Sequence, residues 1–343
     1  MQNISDIGEF GLIDHLTQDT KIYHTSTLKG IGDDAAVIAK NDTDCLLIST
    51  DLLVEGIHFD VVYTPLKHLG YKAVVVNVSD IVAMNGTATH ITVALAISSK
   101  YTIEAMDELY KGIALACKKY KIDLVGGDTT STPSGLVIAI TVVGEAKKDK
   151  ITHRHTAQKG DLICVTGDLG AAYIGLTLLE REKRVFMESP SIQPDFDGKS
   201  YPIQRQLKPD ARIDMVEIFE ELNLVPTAMI DISDGLASEL FHLCKQSQVG
   251  CKIYEDKLPI DKTVYNTALE FNLDPTVCAL NGGEDYELLF TVSQADYEKI
   301  KDNPDISVIG YVCDAEEGKK LITKSNSIHD LKAQGWDSFG QES

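Results

Sequence analysis

Residues 65–84 read PLKHLGYKAVVVNVSDIVAM. Proline opens the stretch, a favoured first-turn residue, and Leu66, Leu69, Ala73, Val76 and Ile81 recur near helical spacing. The predicted helix is apolar nearly all round (Val74, Val75, Val78, Val82) and yet carries Asp80. A carboxylate on a buried helix is costly unless it is paired or bound to a metal. Working outward, residues 44–50 predict a strand ending in Ser-Thr-Asp, and residues 90–97 a second strand. Residues 102–120 form an amphipathic pattern with Thr102 placed to cap it and Glu104 and Asp107 in its early turns. Residues 123–125 and 136–144 read as buried strands. The second half repeats the alternation. Strands are expected at 161–166, 228–232, 285–292, 307–312 and 320–323, and helices at 170–182, 209–222 and 234–248. The basic stretch containing Lys147, Lys148, Lys150, Arg154 and Lys159 marks the expected domain boundary. Residues 184–207, with Pro190, Pro194, Gly198 and Pro202 and no periodicity, predict an exposed insertion or loop. The pattern is mixed α/β in two domains, residues 1–147 and 148–343.

Composition narrows the function. Among 343 residues, 52 acidic against 32 basic side chains give a net charge of −20. Such a chain repels nucleic acid and anionic membrane surfaces. By the same reasoning it should repel phosphorylated metabolites, unless bound cations reverse the sign locally. A hydrophobic content of 43% with 24% charged residues suits a soluble globular protein. The first ten residues carry Asp6 and Glu9 and show no targeting pattern. Seven scattered cysteines (45, 117, 164, 244, 251, 278, 313) include no Cys-x-x-Cys pair, as expected of reduced thiols in a cytoplasmic protein.

The familiar phosphate loops are absent. Gly198-Lys199-Ser200 has Gln193 where a P-loop needs glycine. Gly30-Ile31-Gly32-Asp33-Asp34-Ala35 mimics a dinucleotide fingerprint, but it follows no strand and would aim two carboxylates at a pyrophosphate. What recurs is acidic residues beside glycine or a hydroxyl at the ends of apolar stretches. Asp33, Asp34, Asp51, Asp80, Asp128, Asp231, Asp234, Glu284 and Asp285 are nine such residues in six places. Any one of them could be a turn or a helix cap. Together they suit hard divalent cations shared with phosphate oxygens, with neighbouring glycines that let backbone N–H groups approach a phosphate. His58 follows closely on the Ser-Thr-Asp strand, His153 and His155 flank Arg154 in the basic stretch, and Trp336 stands near the C-terminus. An arginine near an acidic site is the usual ligand of a phosphate tail. No Gly-x-Ser-x-Gly or cysteine-nucleophile signature is present.

In order along the chain, Gly-Ile-Gly-Asp-Asp-Ala (30–35), Ser-Thr-Asp-x-x-Val-x-Gly-x-His-Phe (49–59), Tyr-Lys-Ala-x-x-x-Asn-x-Ser-Asp (71–80), Gly-Gly-Asp-Thr-Thr (126–130), Asp-Ile-Ser-Asp-Gly-Leu (231–236), Gly-Gly-Glu-Asp-Tyr-Glu-Leu (282–288) and Gly-Trp-Asp-Ser-Phe (335–339) resemble the thiamine-monophosphate kinases. The wider superfamily holds aminoimidazole-ribonucleotide and selenophosphate synthetases. The resemblance implies a two-domain PurM-like fold, with N-terminal domains pairing across a homodimer into a β-barrel and a C-terminal α/β domain. It implies ATP- and Mg²⁺-dependent phosphorylation of thiamine monophosphate. It implies magnesium ligands at Asp34, Ser49, Thr50, Asp51, Asp80, Asp128, Asp231 and Asp234. ATP positions fall on Tyr120, Gly127, Asp128, Arg154 and Ser233, and thiamine-phosphate positions on His58, Glu284 and Trp336. Residues 84–89 and the 184–204 insertion depart from the family pattern. A synthetase of the same superfamily and a non-catalytic nucleotide-binding scaffold are the competing readings. Selenophosphate synthetase would want a reactive cysteine near the N-terminus, whereas the first here, Cys45, falls within a predicted strand.

Overall fold

The chain folds around α2 (Leu66–Ala83), which is buried along most of its length. The computed structural model describes Ile4 and residues 7–334, so Trp336 lies outside the described residues. After α1 (Gly8–Thr17), six strands form the first sheet: β1 (Thr27–Lys29), β2 (Ala36–Ala39), β3 (Asp44–Val54), β4 (Thr87–Ile97), β5 (Asp123–Ser131) and β6 (Leu136–Lys147). Their spatial order is β1-β2-β3-β6-β4-β5. Only β4 and β5 run parallel, and their connection is α3 (Ile103–Tyr120), the crossover a parallel pair requires. Thr102 caps α3 by accepting a hydrogen bond from the amide of Ala105.

The second sheet contains β7 (Leu162–Thr166), β8 (Ala228–Asp231), β9 (Gly250–Tyr254), β10 (Leu288–Val292), β11 (Ile306–Cys313), β12 (Lys319–Ile322) and β13 (Ile328–Asp330), in the order β13-β12-β9-β11-β7-β10-β8. Its helices are α4 (Ala171–Glu188), α5 (Ser200–Leu207), α6 (Ile213–Glu221), α7 (Leu236–Ser247), α8 (Lys262–Glu270), α9 (Pro275–Asn281) and α10 (Tyr297–Ile300). Alternate residues divide its two faces, as strand periodicity dictates. Cys164, Met229, Leu288 and Phe290 join one core with α2, α3 and α6. Ile163, Val165, Ile230 and Leu289 face a second core with α7 and α9. The first core therefore runs unbroken from the N-terminal sheet, through α2, into the C-terminal sheet.

Two sequence expectations change here. The 184–207 segment is not one loop: α4 continues to Glu188, and α5 covers Ser200–Leu207, leaving residues 189–199 between them. The prolines concealed α5 because Pro202 stands in its first turn, where a missing N–H costs nothing. Strand β5 runs on from the predicted 123–125 through the whole Gly-Gly-Asp-Thr-Thr motif, and all nine of its residues are exposed. At the departure after α2, Asn85 adopts φ +57°, and the amides of Asn85 and Gly86 donate to Val82 and Ile81. That is a Schellman ending with asparagine in the left-handed position.

Helices α2 and α3 cross at paired glycines. A Cβ on Gly70 would stand 2.0 Å from the Leu109 carbonyl oxygen, and one on Gly112 1.9 Å from that of Lys67. Gly112→Ala should lower stability by about 3 kcal/mol, near the top of the overpacking range, and visibly lower the melting temperature. Lys118→Ala, exposed on the same helix, should stay within about 0.5 kcal/mol. Equal melting of Gly112→Ala and the parent would contradict the close crossing.

Candidate active site

The acidic motifs meet where α2 passes between the two sheets. Asp34 comes from the loop between β1 and β2, Asp80 from α2 and Asp231 from the end of β8, and one carboxylate oxygen from each lies within 4.8 Å of the others. The neighbouring hydroxyls hold them. Ser49, on β3, donates to Asp80 Oδ2 at 2.5 Å, and Ser79 donates to Asp231 Oδ2 at 2.6 Å. The side chain of Asn77 accepts from the Asp51 amide at 3.0 Å and donates to the Ala73 carbonyl at 3.0 Å, tying α2 to β3 beside Asp51. Arg154 grips Asp34 through both arms of its guanidinium, at 2.6 Å to Oδ1 and 3.3 Å to Oδ2.

This arrangement is electrostatically unfavourable without a cation. Two carboxylates about 4–5 Å apart repel by about 3–4 kcal/mol at the effective dielectric of such sites. A hydrogen bond to a charged group returns only about 1.5–3 kcal/mol, and Arg154 pairs directly with Asp34 alone in the cluster. The same forces raise the proton affinity of the carboxyl groups. Burial, reinforced by the charges of Asp51, Asp231 and Asp34, raises Asp80 well above the usual carboxylate range. Burial and the Asp34 charge push Asp231 up to about 8. Burial, with the charge of Glu9 next, pushes Asp51 and Asp234 up to about 6. Asp34 is raised by burial against the opposing pull of Arg154. An all-oxygen donor set of carboxylates and a hydroxyl, short of positive charge, fits a hard divalent cation such as Mg²⁺.

A second group of polar residues lines the loop after α9. Glu284 takes φ +56°, left-handed and strained for a non-glycine residue, and its amide donates to the Ser233 carbonyl at 2.6 Å. Its carboxylate meets Lys72 of α2 at 2.7 Å and accepts from Gln206 of α5 at 2.7 Å. His58 accepts from the Val54 amide through Nδ1 at 3.0 Å, which leaves the proton on Nε2. Burial holds His58 below its ordinary range, and Glu284 and Lys72 lie near enough to act on it.

The AIR synthase related protein N-terminal domain family matches residues 32–146, and its C-terminal domain family matches residues 158–321. Thiamine-monophosphate kinase of Bacillus subtilis is 35% identical over 339 residues, 96% of this chain and 99% of that one. The enzyme of Aquifex aeolicus is 34% identical, covering 98% and 99%. The chain belongs to the thiamine-monophosphate kinase family. Its fold superposes on the solved structure of AaThiL complexed with AMPPCP and TMP with a TM-score of 0.82, 31% identity and coverage of 98% and 99% of the two chains.

The residues that family resemblance singled out fall into several groups in the structure. Asp34, Ser49, Asp51, Asp80, Asp231 and Arg154 converge as described, with Asp234 and Ser233 in the adjoining loop between β8 and α7. Thr50 alternates to the opposite face of β3, where its hydroxyl donates to the Ile140 carbonyl and meets Thr141. Gly127 and Asp128 lie on exposed β5, far from the cluster along the sheet. A Cβ at Gly127 would stand 1.8 Å from the Val93 carbonyl oxygen, so glycine is required there by strand pairing alone. Tyr120 is 3% exposed. Its hydroxyl accepts from the Ala211 amide at 3.1 Å and donates to Asp210 at 3.3 Å, joining α3 to the C-terminal half. Asp285, grouped from the sequence with possible metal ligands, is instead a buried cap for the start of α4, accepting from the amides of Gly170 and Ala172. Glu287 anchors Arg205, Arg212 and Thr166 at 2.9, 2.8 and 2.6 Å. Lys72, Gln206 and Glu239 escaped the sequence reading. Lys72 and Glu239 look like ordinary helix-surface charges, and Gln206 sat in the supposed loop. Glu239 in fact accepts from the Asp234 amide at 3.0 Å while buried.

The pH dependence follows from these shifts. Folded carboxyl groups raised above the usual 3.8 bind more protons than their unfolded counterparts, so the stability they permit is lost as pH rises through about 4 to about 8. The metal-free protein should melt at progressively lower temperature from about pH 5 to about pH 8, and Mg²⁺ should raise its melting temperature more at the higher pH. A Mg²⁺ effect that is flat or reversed with pH would contradict this electrostatic origin. Asp80→Asn should raise the metal-free melting temperature at about pH 8, because it removes like-charge repulsion, and should abolish the Mg²⁺-induced rise.

Proposed function

We propose that this chain transfers the γ-phosphoryl group of ATP to thiamine monophosphate, releasing ADP and thiamine diphosphate. The observation that carries this is the nearness of a buried carboxylate cluster and Arg154 to the Lys72–Glu284–His58 group, on a chain related over nearly its full length to enzymes of that name. An oxygen of the acceptor phosphate attacks the γ-phosphorus while the bond to the β-phosphate oxygen breaks. The acceptor is already anionic, so no general base is required, and the task is alignment and charge neutralisation. Asp34, Ser49, Asp51, Asp80, Asp231 and Asp234 would hold Mg²⁺, which supplies the charge that two polyanions need in order to approach. Arg154 and the Ser233 loop would orient the nucleotide. Glu284, held by Lys72 and Gln206, and His58 through Nε2–H would meet the thiamine phosphate, the substrate to which family resemblance also assigns Trp336.

We further propose that the working form is a homodimer with a barrel between subunits. On β3, Thr50 and Leu52 are exposed on the face away from α2, and edge strand β5 exposes Leu124 and Val125. Register supports an additional point. Asp51 pairs with Ile140, Ile140 with Val93, and Val93 with Gly127. Three strand spacings, about 14 Å, separate Asp51 from the Gly127–Asp128 pair within one chain. That separation is too wide for one cation to bridge Asp51 and Asp128 of a single chain, and supports a second subunit supplying Asp128. Thr50, on the same open face, would lie at that junction. No helix among the described residues is long and apolar enough to cross a membrane, and we place the protein in the cytoplasm on its free cysteines.

Mixing the protein with ATP, Mg²⁺ and thiamine monophosphate should yield thiamine diphosphate, followed by chromatography. ATP binding with no product above background would favour a nucleotide-binding scaffold. Asp51→Asn should cut turnover by at least about 100-fold with no loss of metal-free melting temperature, as befits loss of a group acting in the transition state. His58→Ala should raise the KM for thiamine monophosphate more than that for ATP; equal effects on both would contradict its placement.

A further inference from the structure

One side-chain cluster next to the active site is not used by phosphoryl transfer. Asp33, the neighbour of Asp34, shares Arg154 with it through Oδ1 and meets the linker between the sheets through Oδ2. There Asp33 Oδ2 lies 2.7 Å from Nδ1 of His153 and 3.8 Å from Nδ1 of His155. The two imidazole centroids are 5.0 Å apart. The first distance is a hydrogen bond. The second is too long for one, so His155 Nδ1 lies near an oxygen to which it makes no bond.

The linker is fixed before any ligand arrives. The Arg154 amide donates to Asp33 Oδ1 at 3.3 Å, the His153 carbonyl accepts from the Met229 amide at 3.2 Å, and the Arg154 carbonyl accepts from Ser247 at 3.2 Å. Asp33 Oδ1 is thus taken up by the amides of Asp34 and Arg154, with Arg154 Nε at 3.5 Å, and Oδ2 is left to the histidines. The Asp33 side chain is fully buried, whereas those of His153 and His155 are 25% and 39% exposed, so the cluster opens to solvent on the imidazole side.

We propose that Asp33, His153 and His155 form a site for a first-row transition-metal dication of the Zn²⁺ class, separate from the all-oxygen cluster at Asp34, Asp80 and Asp231. One ligand atom from each of the three residues lies within 4.8 Å of the others. Tetrahedral zinc with bonds of about 2.0–2.1 Å places its ligand atoms about 3.3–3.4 Å apart, and the two distances to Oδ2 bracket that value. Closing the site needs only small movements of two partly exposed imidazoles. Two nitrogens and one carboxylate prefer Zn²⁺, Co²⁺ or Ni²⁺ to Mg²⁺, which seeks oxygen alone. Three protein ligands leave the fourth position, on the solvent side, to water.

The test is equilibrium dialysis of the full chain against Zn²⁺ in saturating Mg²⁺, which occupies the oxygen cluster, together with the visible spectrum of the Co²⁺-loaded protein. One Zn²⁺ per chain should be retained. Loss of even an outer hydrogen bond at a metal site costs about 10–100-fold in affinity, so His155→Ala and His155→Asn should each weaken retention by about tenfold or more, with unchanged metal-free melting. The Co²⁺ spectrum should show d–d bands without thiolate charge transfer. Failure to retain Zn²⁺ in the presence of Mg²⁺, equal retention by the parent and both variants, or thiolate bands that place the ion on cysteines would each overturn the proposal. The parent's Co²⁺ spectrum decides between histidine and thiolate ligands independently of how the variants fold.

Discussion

The rest of the structure depends on a like-charge constraint: several carboxylates are gathered at one buried seam, with one arginine to offset them. Asp34, Asp80 and Asp231 come from three separate elements, yet their oxygens lie within 4.8 Å of one another. Repulsion of about 3–4 kcal/mol for each close pair is comparable to a large part of a domain's net stability of about 5–15 kcal/mol. The fold tolerates it because apolar packing on both sides of α2 holds the elements in place, and because Ser49, Ser79 and Arg154 supply partial compensation. Raised proton affinity relieves part of that repulsion, and a bound cation would relieve it in place of the protons.

Helix α2 gives the constraint its geometry. Its apolar surface joins the N-terminal sheet to one face of the C-terminal sheet in a single core. Its polar residues Lys72, Asn77, Ser79 and Asp80 project toward Glu284, the Asp51 backbone, Asp231 and Ser49 respectively. Because one helix carries contacts to both halves, small relative movements of the sheets would change the carboxylate spacing directly. The glycine crossing of α2 and α3, the Tyr120 hydroxyl and the salt-bridged Lys72 all limit that movement.

Much of this was legible in the sequence. Asp80 stood out because an ionisable group amid valines needs a reason, and the strand-end Asp motifs carried the cluster. The α/β alternation followed from hydrophobic period alone. What the sequence concealed had physical causes. Proline in the first turn of α5 disguised a helix that brings Gln206 to Glu284. Asp285 and Glu284 are adjacent in sequence, yet only tertiary contacts make one a helix cap and the other part of the site. Strand alternation sends Thr50 away from Ser49 and Asp51, which a motif written as Ser-Thr-Asp does not convey. The open side of the N-terminal sheet left no mark in composition, because exposed Leu52, Leu124 and Val125 count the same as buried apolar residues.

The central claim is that the buried carboxylates hold protons where the proposed cations would bind. The most direct measurement is calorimetric titration of Mg²⁺ into the metal-free protein near pH 7, in buffers of different ionisation enthalpy, to count the protons exchanged. Asp231, pushed up to about 8, and Asp80, raised well above the usual range, should give up their protons as Mg²⁺ enters. Net proton release is the predicted result. Mg²⁺ binding with no change in bound protons, or no Mg²⁺ binding at all, would contradict it.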